Sequence, residues 1–145
     1  MNNYNKTLIK KTNETKWYIV DGKNKNLGRL SSNIAYILQG KNRKEYLPFK
    51  ENKIKIIIIN SKHIQVTGKK NEQKIYKRHS GRPGGLKTEL FHQLQERIPN
   101  KIIEHAIKGM LPKNSLGRQL FKNLKIYSDN QHPHEAQTPT IININ

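Results

Sequence analysis

An almost unbroken isoleucine run near the middle of the chain constrains the fold most. Residues 54–60 read IKIIIIN, with isoleucine at five of the first six positions. A strand with one solvated face alternates apolar and polar side chains, whereas a strand covered on both faces is apolar throughout. The run is therefore typical of a central strand in a parallel sheet. Parallel strands need crossover connections, so we expect an α/β fold.

A strand and a helix precede this run. Residues 17–21 (WYIVD) are β-branched and aromatic, which favours a strand, and GKNKN follows as a turn. Apolar side chains then recur at helical spacing up to Gly40: Leu27, Leu30, Ile34, Ile37 and Leu38. Strand, helix and strand together predict a right-handed βαβ unit.

The second half of the chain continues the alternation. We predict a third strand at 73–79, a loop at SGRPGG, and helix from Lys87 that breaks near Pro99 and stops at Pro112. Ser115 is the expected cap of a short helix, and residues 125–128 are a last strand. The prediction is one three-layer α/β/α domain over residues 16–128, between an N-terminal extension (1–15) and a polar C-terminal tail (129–145).

Positive charge narrows the class of partner. The chain has 28 Lys and Arg against 10 Asp and Glu, a net charge of +18 over 145 residues. Such a surface attracts polyanions. The longest apolar run is far too short to span a membrane, so nucleic acid is the expected partner. The absence of cysteine excludes disulfides, thiolate catalysis and sulfur-bound zinc.

The charge is concentrated in one part of the chain. Residues 41–87 hold fourteen Lys and Arg against three Glu, a net +11. Residues 40–53 (GKNRKEYLPFKENK) interleave basic side chains with Tyr46 and Phe49, which combines phosphate contacts with stacking surfaces. Residues 77–87 (KRHSGRPGGLK) join basic side chains to glycines that let a backbone approach phosphate closely. An AT-rich genome explains abundant Lys, but not the sparse arginines Arg29, Arg43, Arg78, Arg82 and Arg118.

Three alternatives use the same residues differently. GRPGGLKT (81–88) lies where a Walker A loop would, but Leu86 replaces the required glycine and no strand ending in Asp follows to hold magnesium. His132 and His134 suggest a metal, yet only Glu135 is a nearby acid. The carboxylates are scattered, which argues against acid–base catalysis. A free-standing regulatory RNA binder or membrane-surface binder is a further alternative.

Several segments, in the same order, resemble the family of large-subunit ribosomal protein thirteen. The most specific is IKGMLPKNSLGRQLFKNLKIY at 107–127; WYIVDGKNKNLGRLSSNIA, GKNRKEYLPF, INSKHIQVTGKK, HSGRPGG and NQHPHEAQTPT agree with it. The resemblance covers about residues 16–140. It implies an α/β/α domain on a four-stranded, mainly parallel sheet that binds large-subunit rRNA early in subunit assembly. It implies no catalysis, cofactor, small-molecule substrate or membrane.

The resemblance also assigns contacts by motif position, with neighbouring ribosomal proteins as further partners. It implies rRNA contacts at Lys41, Lys44, Lys69, Lys70, His79, Arg82, Lys108, Lys113 and Arg118, and His132 and His134 match the family's HxH element. The residue-based reading adds Arg29, Arg43, Arg78, Lys87 and Lys122. The AT-rich codon usage implied by 22 Lys, 19 Ile and 17 Asn predicts a plastid ribosome or the cytoplasm of an AT-rich bacterium. Residues 1–16 lack the pattern of a signal or import sequence, which agrees with synthesis in the compartment where the protein works.

Overall fold

A four-stranded parallel sheet forms the centre of the protein. The computed structural model describes residues 15–44 and 46–144. Its elements, in chain order, are β1 (Lys16–Asp21), α1 (Leu27–Gln39), β2 (Ile54–Ile59), α2 (Lys70–Gln73), β3 (Ile75–His79), β4 (Leu86–Leu90), α3 (Phe91–Arg97), α4 (Pro99–Met110), α5 (Ser115–Lys122), β5 (Leu124–Ile126) and β6 (Thr140–Ile141), with short 3-10 turns at Ser61–His63 and Glu135–Gln137.

The isoleucine strand occupies the interior of this sheet, as its composition predicts. The strand order is β5-β2-β1-β6, and every pair is parallel. Tyr18 lies opposite Ile56 and Val20 opposite Ile58. Ile56, Ile57 and Ile58 are fully buried, so both faces of β2 are covered. The α/β class with a four-stranded parallel sheet is confirmed.

The handedness of the connections between strands determines which face of the sheet each connection covers. The steps from β1 to β2 and from β2 to β5 run in the same direction across the sheet, so right-handed crossovers put their helices on one face. The step from β5 to β6 runs back in the opposite direction, and its connection, residues 127–139, crosses the other face. The third layer is therefore this connection with its 3-10 turn.

The main core lies between the sheet and the helices. Ile56 and Ile58 on β2 belong to one apolar cluster with buried residues of α1, α3, α4 and α5, including Ile34, Phe91, Ile102, Ile103, Ile107 and Leu120. Helices α1 and α4 pack against each other within it. Helix α1 connects β1 to β2 and therefore runs back to the amino edge of the sheet. Helix α4 begins at the carboxyl edge, where Ser61 and Ser128, just beyond β2 and β5, donate hydrogen bonds to its Asn100, and it also ends toward the amino edge.

One sequence prediction was wrong in an informative way. Residues 86–90 form strand β4, and helix begins only at Phe91, not at Lys87. Strand β3, expected in the main sheet, instead pairs with β4 in a separate antiparallel hairpin, with Arg78 opposite Lys87. Leu90 and Leu94 do have helical spacing, but Leu86, Thr88 and Leu90 also alternate as in a strand, and pairing with β3 satisfies the backbone of both segments. We call residues 75–90 the arm.

Smaller differences concern the end of the chain. Asn114, and not Ser115, caps α5 by accepting a hydrogen bond from the Gly117 N–H at 2.8 Å. Strand β5 begins at Leu124, one residue before the predicted start. The segment expected as a polar tail contributes β6, which pairs with β1, and the buried Ile144. The predicted N-terminal extension lies outside the described residues except for Thr15.

Candidate nucleic-acid interface

The candidate basic residues share one property: within the described residues none of them forms an ion pair with a carboxylate. Ion pairs within residues 15–44 and 46–144 involve only Lys62, Arg97 and Lys101 as cations. None of the candidate Lys and Arg takes part in one. All of them are exposed except Arg43, which is half-buried. Uncompensated cations in this number favour binding of an external polyanion.

One group of these cations meets at the amino edge of the sheet. Because α1 and α4 run side by side and end there, the segment after α1 and the end of α4 lie at the same end of the domain. Asn52 lies just before β2, and its side-chain N–H donates a hydrogen bond to the carbonyl of Gln39 at the end of α1. This bond fixes the two ends of the segment that connects α1 to β2. We call this group the amino-edge cluster: Lys41, Arg43, Lys44, Lys108 and Lys113.

Aromatic and apolar side chains accompany the amino-edge cluster. Phe49 lies in the connection that carries Lys41 and Lys44, and 68% of its surface is exposed. Met110 at the end of α4 is 43% exposed. Nη2 of Arg43 is shielded from solvent and has no hydrogen-bond partner within the described ranges. The cluster thus combines charge with surfaces that suit stacking on bases.

Helix α5 continues this surface. Lys108 Nζ lies 6.0 Å from the ring centroid of Phe121. Arg118 is a neighbour of both Phe121 and Lys122 on the surface of α5, since they follow it by three and four residues. Arg118 and Lys122 are exposed. Four cations of residues 107–127 therefore lie on or beside α5: Lys108, Lys113, Arg118 and Lys122.

A close backbone contact positions this helix. A Cβ built on Gly117 would lie 1.8 Å from the carbonyl oxygen of Pro112 and 2.8 Å from its carbonyl carbon. No side chain fits in that space, so the first turn of α5 can pack on Pro112 only through a glycine. The LGR element of the sequence thus has a structural part, Gly117, and an exposed charged part, Arg118.

The other edge of the sheet carries a second, smaller group. Arg29 lies in the first turn of α1, and Lys69 and Lys70 lie at the start of α2. These segments are joined near the carboxyl ends of the strands, where Leu27 N–H donates to the Gln65 carbonyl at 2.9 Å. All three cations are exposed. The structure separates them from the amino-edge cluster by the length of the sheet.

The arm carries a third group. Arg78 and Lys87 are opposite each other in the hairpin, His79 is opposite Leu86, and Arg82 lies in the turn. The turn is closed by the Gly85 N–H donating to the Arg82 carbonyl at 3.0 Å, with Pro83 and a positive-φ Gly84 at its centre, the pattern of a type II turn. Every residue from 77 to 84 is exposed. Lys77, which belongs to the basic segment 77–87 but was not among the predicted contacts, adds a further cation.

The arm is held at its base. Tyr76 packs on Phe91, with ring centroids 6.4 Å apart, and edge-on against His105 at 5.5 Å. Burial raises the pKa of Tyr76. The Arg97 guanidinium donates two hydrogen bonds to the Glu89 carboxylate, at 2.9 and 2.7 Å. These hydrogen bonds, with the nearby charges of Arg97 and Arg78, hold the pKa of Glu89 below its usual range.

The Glu89 contact makes a pH-dependent contribution to stability. A lowered carboxyl pKa stabilises the folded state above the unfolded value, about 4.3, and that contribution is lost as the pH falls through the lowered pKa. We expect Glu89→Gln to melt slightly below the parent protein at pH 7, and to differ less from the parent near pH 3, where Glu89 is more protonated. Thermal unfolding at the two pH values checks this. A difference of equal size at both pH values would contradict it.

His132 and His134 lie on the opposite face of the sheet from the helices. His134 packs on Trp17, with centroids 5.2 Å apart, and its Nε2 is hydrogen-bonded to the Tyr127 hydroxyl at 2.8 Å. The backbone N–H of His134 donates a hydrogen bond to Nδ1 of His132 at 3.2 Å. Lys55 Nζ lies 4.7 Å from the Trp17 ring. Both histidines are half-buried, so they form part of an aromatic cluster that holds the 127–139 connection on the sheet.

The described residues do not form the sites that a Walker A enzyme or a metal-binding protein would need. GRPGGLKT forms the turn and second strand of the arm, so no helix N-terminus follows the glycines as in a Walker A site. Within the described ranges, no three His, Asp or Glu side chains come together as metal ligands. No helix in that part of the chain is long and apolar enough to cross a membrane.

Comparison with known proteins agrees with the structure. The family model described as Ribosomal protein L13 matches residues 15–133. The chain is 61% identical over 139 residues to the large ribosomal subunit protein uL13c of Gracilaria tenuistipitata var. liui, which covers 95% of this chain and 97% of that protein. It is 58% identical over 133 residues to uL13 of Acaryochloris marina, covering 92% and 88%.

A third relative has a similar identity over almost the whole chain. The chain is 54% identical over 141 residues to uL13 of Prochlorococcus marinus subsp. pastoris, covering 96% of this chain and 99% of that protein. A plastid protein of a red alga and cyanobacterial proteins are thus all similar, which agrees with the expected plastid ribosome or bacterial cytoplasm. These relatives are ribosomal constituents and not enzymes. The chain belongs to the ribosomal protein L13 family.

Proposed function

We propose that this protein binds large-subunit rRNA directly, organises it, and joins the subunit early in assembly, next to other ribosomal proteins. The observation that carries the proposal is the set of candidate cations, exposed except for Arg43, that form no ion pair within the described residues. Lys and Arg neutralise phosphates, and each neutralised phosphate releases counterions. The proposed contacts are the candidate cations together with His79, His132 and His134.

The distribution of the cations supports a partner that surrounds the domain. The amino-edge cluster and the Arg29 group lie at opposite ends of the main sheet, and the arm is a separate hairpin. A single short duplex would meet only one of these surfaces. Folded rRNA offers several strands at once, and a protein embedded between them fixes their relative geometry. That role also explains why binding before the RNA is fully folded would help assembly.

The shape of the arm supports insertion into RNA. A two-stranded ribbon of five residues is about 17 Å long. Outside its base it is exposed on both faces, and an isolated two-stranded hairpin is only marginally stable in water. Its Lys77, Arg78, Arg82 and Lys87 charges repel one another in the free protein. Contact with phosphate would remove that repulsion.

Phe49 is a proposed base-stacking residue within the amino-edge surface. We expect Phe49→Ala to weaken rRNA binding about tenfold, since stacking on an aromatic side chain contributes about 1–3 kcal/mol per base. Its melting temperature should not change, because the side chain is 68% exposed. Phe49→Trp should bind like the parent. Filter binding with large-subunit rRNA measures this.

A matched control is Ile141→Ala, which also removes an exposed apolar side chain, at the β6 edge. It should leave rRNA affinity unchanged. Equal losses for Phe49→Ala and Ile141→Ala would show that exposed apolar surface in general, and not stacking by Phe49, stabilises the complex.

Pulse labelling tests the assembly role. Newly made protein should appear first in precursor particles lighter than mature large subunits, and should remain bound in moderate salt. Appearance of the label only in mature subunits would contradict early assembly. Label that stays in the light fractions would favour a free-standing regulator.

A further inference from the structure

We infer that the exposed backbone around Gly109, at the end of α4, is a docking point for the ribose edge of an RNA strand. The inference rests on the proposed rRNA binding and deepens it by naming one contact and its chemistry. It starts from a glycine that the fold itself does not require.

Gly109 has no internal reason to be a glycine. It is an exposed residue in the last turn of α4, and its φ is not positive. A Cβ built there would meet no described atom within 4 Å. Glycine in a helix is less favourable than alanine by up to about 1 kcal/mol. Gly117, eight residues later, shows the contrast, since its Cβ would collide with Pro112.

The backbone at this point has free acceptors. Within the described part of the chain, no hydrogen bond reaches the carbonyl oxygens of Lys108, Gly109 or Met110. Pro112 has no N–H and therefore cannot donate to the Lys108 carbonyl. Without a side chain at 109, these oxygens are open to an approaching ligand.

The free carbonyl oxygens at the end of α4 can bind only a ligand group that donates a hydrogen bond. Carbonyl oxygens at a helix C-terminus carry partial negative charge and do not bind phosphate directly. They accept hydrogen bonds, and the ribose 2′-hydroxyl is a donor that RNA has and DNA lacks. Lys108 and Lys113, which flank Gly109 in sequence, are exposed, so their ammonium groups can hold the adjoining phosphates. One strand can thus place its ribose on Gly109 and its phosphates on the two lysines.

The experiment uses the full chain with its own large-subunit rRNA, comparing the parent with Gly109→Ala and Gly109→Gln. Hydroxyl radicals cut at solvent-accessible riboses, so footprinting reports the contact directly. We expect Gly109→Gln to lose one discrete protected stretch and to bind about tenfold more weakly, as for overpacking of a close contact. Gly109→Ala should show a smaller effect in the same direction. Both variants should melt no lower than the parent.

Gly28→Ala is the matched control. Gly28 is another exposed helical glycine without positive φ, and its Cβ would meet only the Asn26 side chain at an ordinary 3.7 Å. It should keep both the footprint and the affinity. Parental footprints for both Gly109 variants, or equal losses at Gly28 and Gly109, would overturn the inference while leaving rRNA binding intact. Failure of the parent to bind rRNA would instead overturn the proposed function.

Discussion

Gly117→Ala is expected to lower the free energy of unfolding by about 3 kcal/mol, because the new methyl group collides with backbone and not with a movable side chain. The built Cβ lies 1.8 Å from the Pro112 carbonyl oxygen. Relief requires the 111–114 connection or α5 to shift, which disturbs Leu120 in the core. Denaturant unfolding should show this loss, with a melting temperature lower by roughly 10 °C.

Gly109→Ala is the control within the same motif. Its Cβ is unobstructed, so we expect stability to be unchanged or raised by up to about 1 kcal/mol. Equal stability losses for the two alanine variants would contradict the packing account. The comparison separates the glycine that the fold requires from the glycine that the fold leaves open.

Lys113→Ala combined with Arg118→Ala is expected to weaken rRNA binding about 100-fold, since each charge-assisted hydrogen bond contributes about 1.5–3 kcal/mol. The magnitude of the salt slope of log Kobs should fall by about 1.5, the contribution of two phosphates. Both side chains are exposed, so the melting temperature should change little. Filter binding over a salt series and thermal unfolding measure the two effects.

The control for net charge is Lys62→Ala combined with Lys101→Ala. This variant loses the same charge, but at positions paired with Asp129 and Glu104. It should retain most of the affinity. Equal losses in both double variants would indicate a nonspecific charge effect, and a strongly lowered melting temperature of the first variant would indicate a structural role for Lys113 or Arg118.

The central part of the fold follows from local pattern. Three local signals predict β2, α1 and α4: a short run of β-branched isoleucine, helical spacing from Leu27 to Leu38, and prolines at 99 and 112 that bound a helix. The arm was mispredicted because residues 86–94 match two periodicities. Residues 86–90 form a strand and not a helix because they pair with β3, and this pairing is not visible in the local pattern. Strand β6 is too short and too exposed for any pattern to reveal it.

The candidate interface was predictable in composition but not in arrangement. Scarce arginines identified Arg78, Arg82 and Arg118 as unusual, and the structure leaves all three exposed and without ion pairs in its described part. Only the parallel course of α1 and α4 brings Lys41 and Lys108 to one edge. The packing of His134 on Trp17 also required the fold, since the two are far apart in sequence. Whether these residues contact rRNA stays a prediction.

Titration of the full-length protein into protein-free large-subunit rRNA, over a series of salt concentrations, tests the central claim most directly. Direct binding through at least six phosphates predicts a linear fall of log Kobs with log salt, with a slope of about −5. Small-subunit rRNA of the same organism should compete weakly. A slope near zero, or no binding to protein-free rRNA by a protein that still sediments with assembled subunits, would contradict the claim.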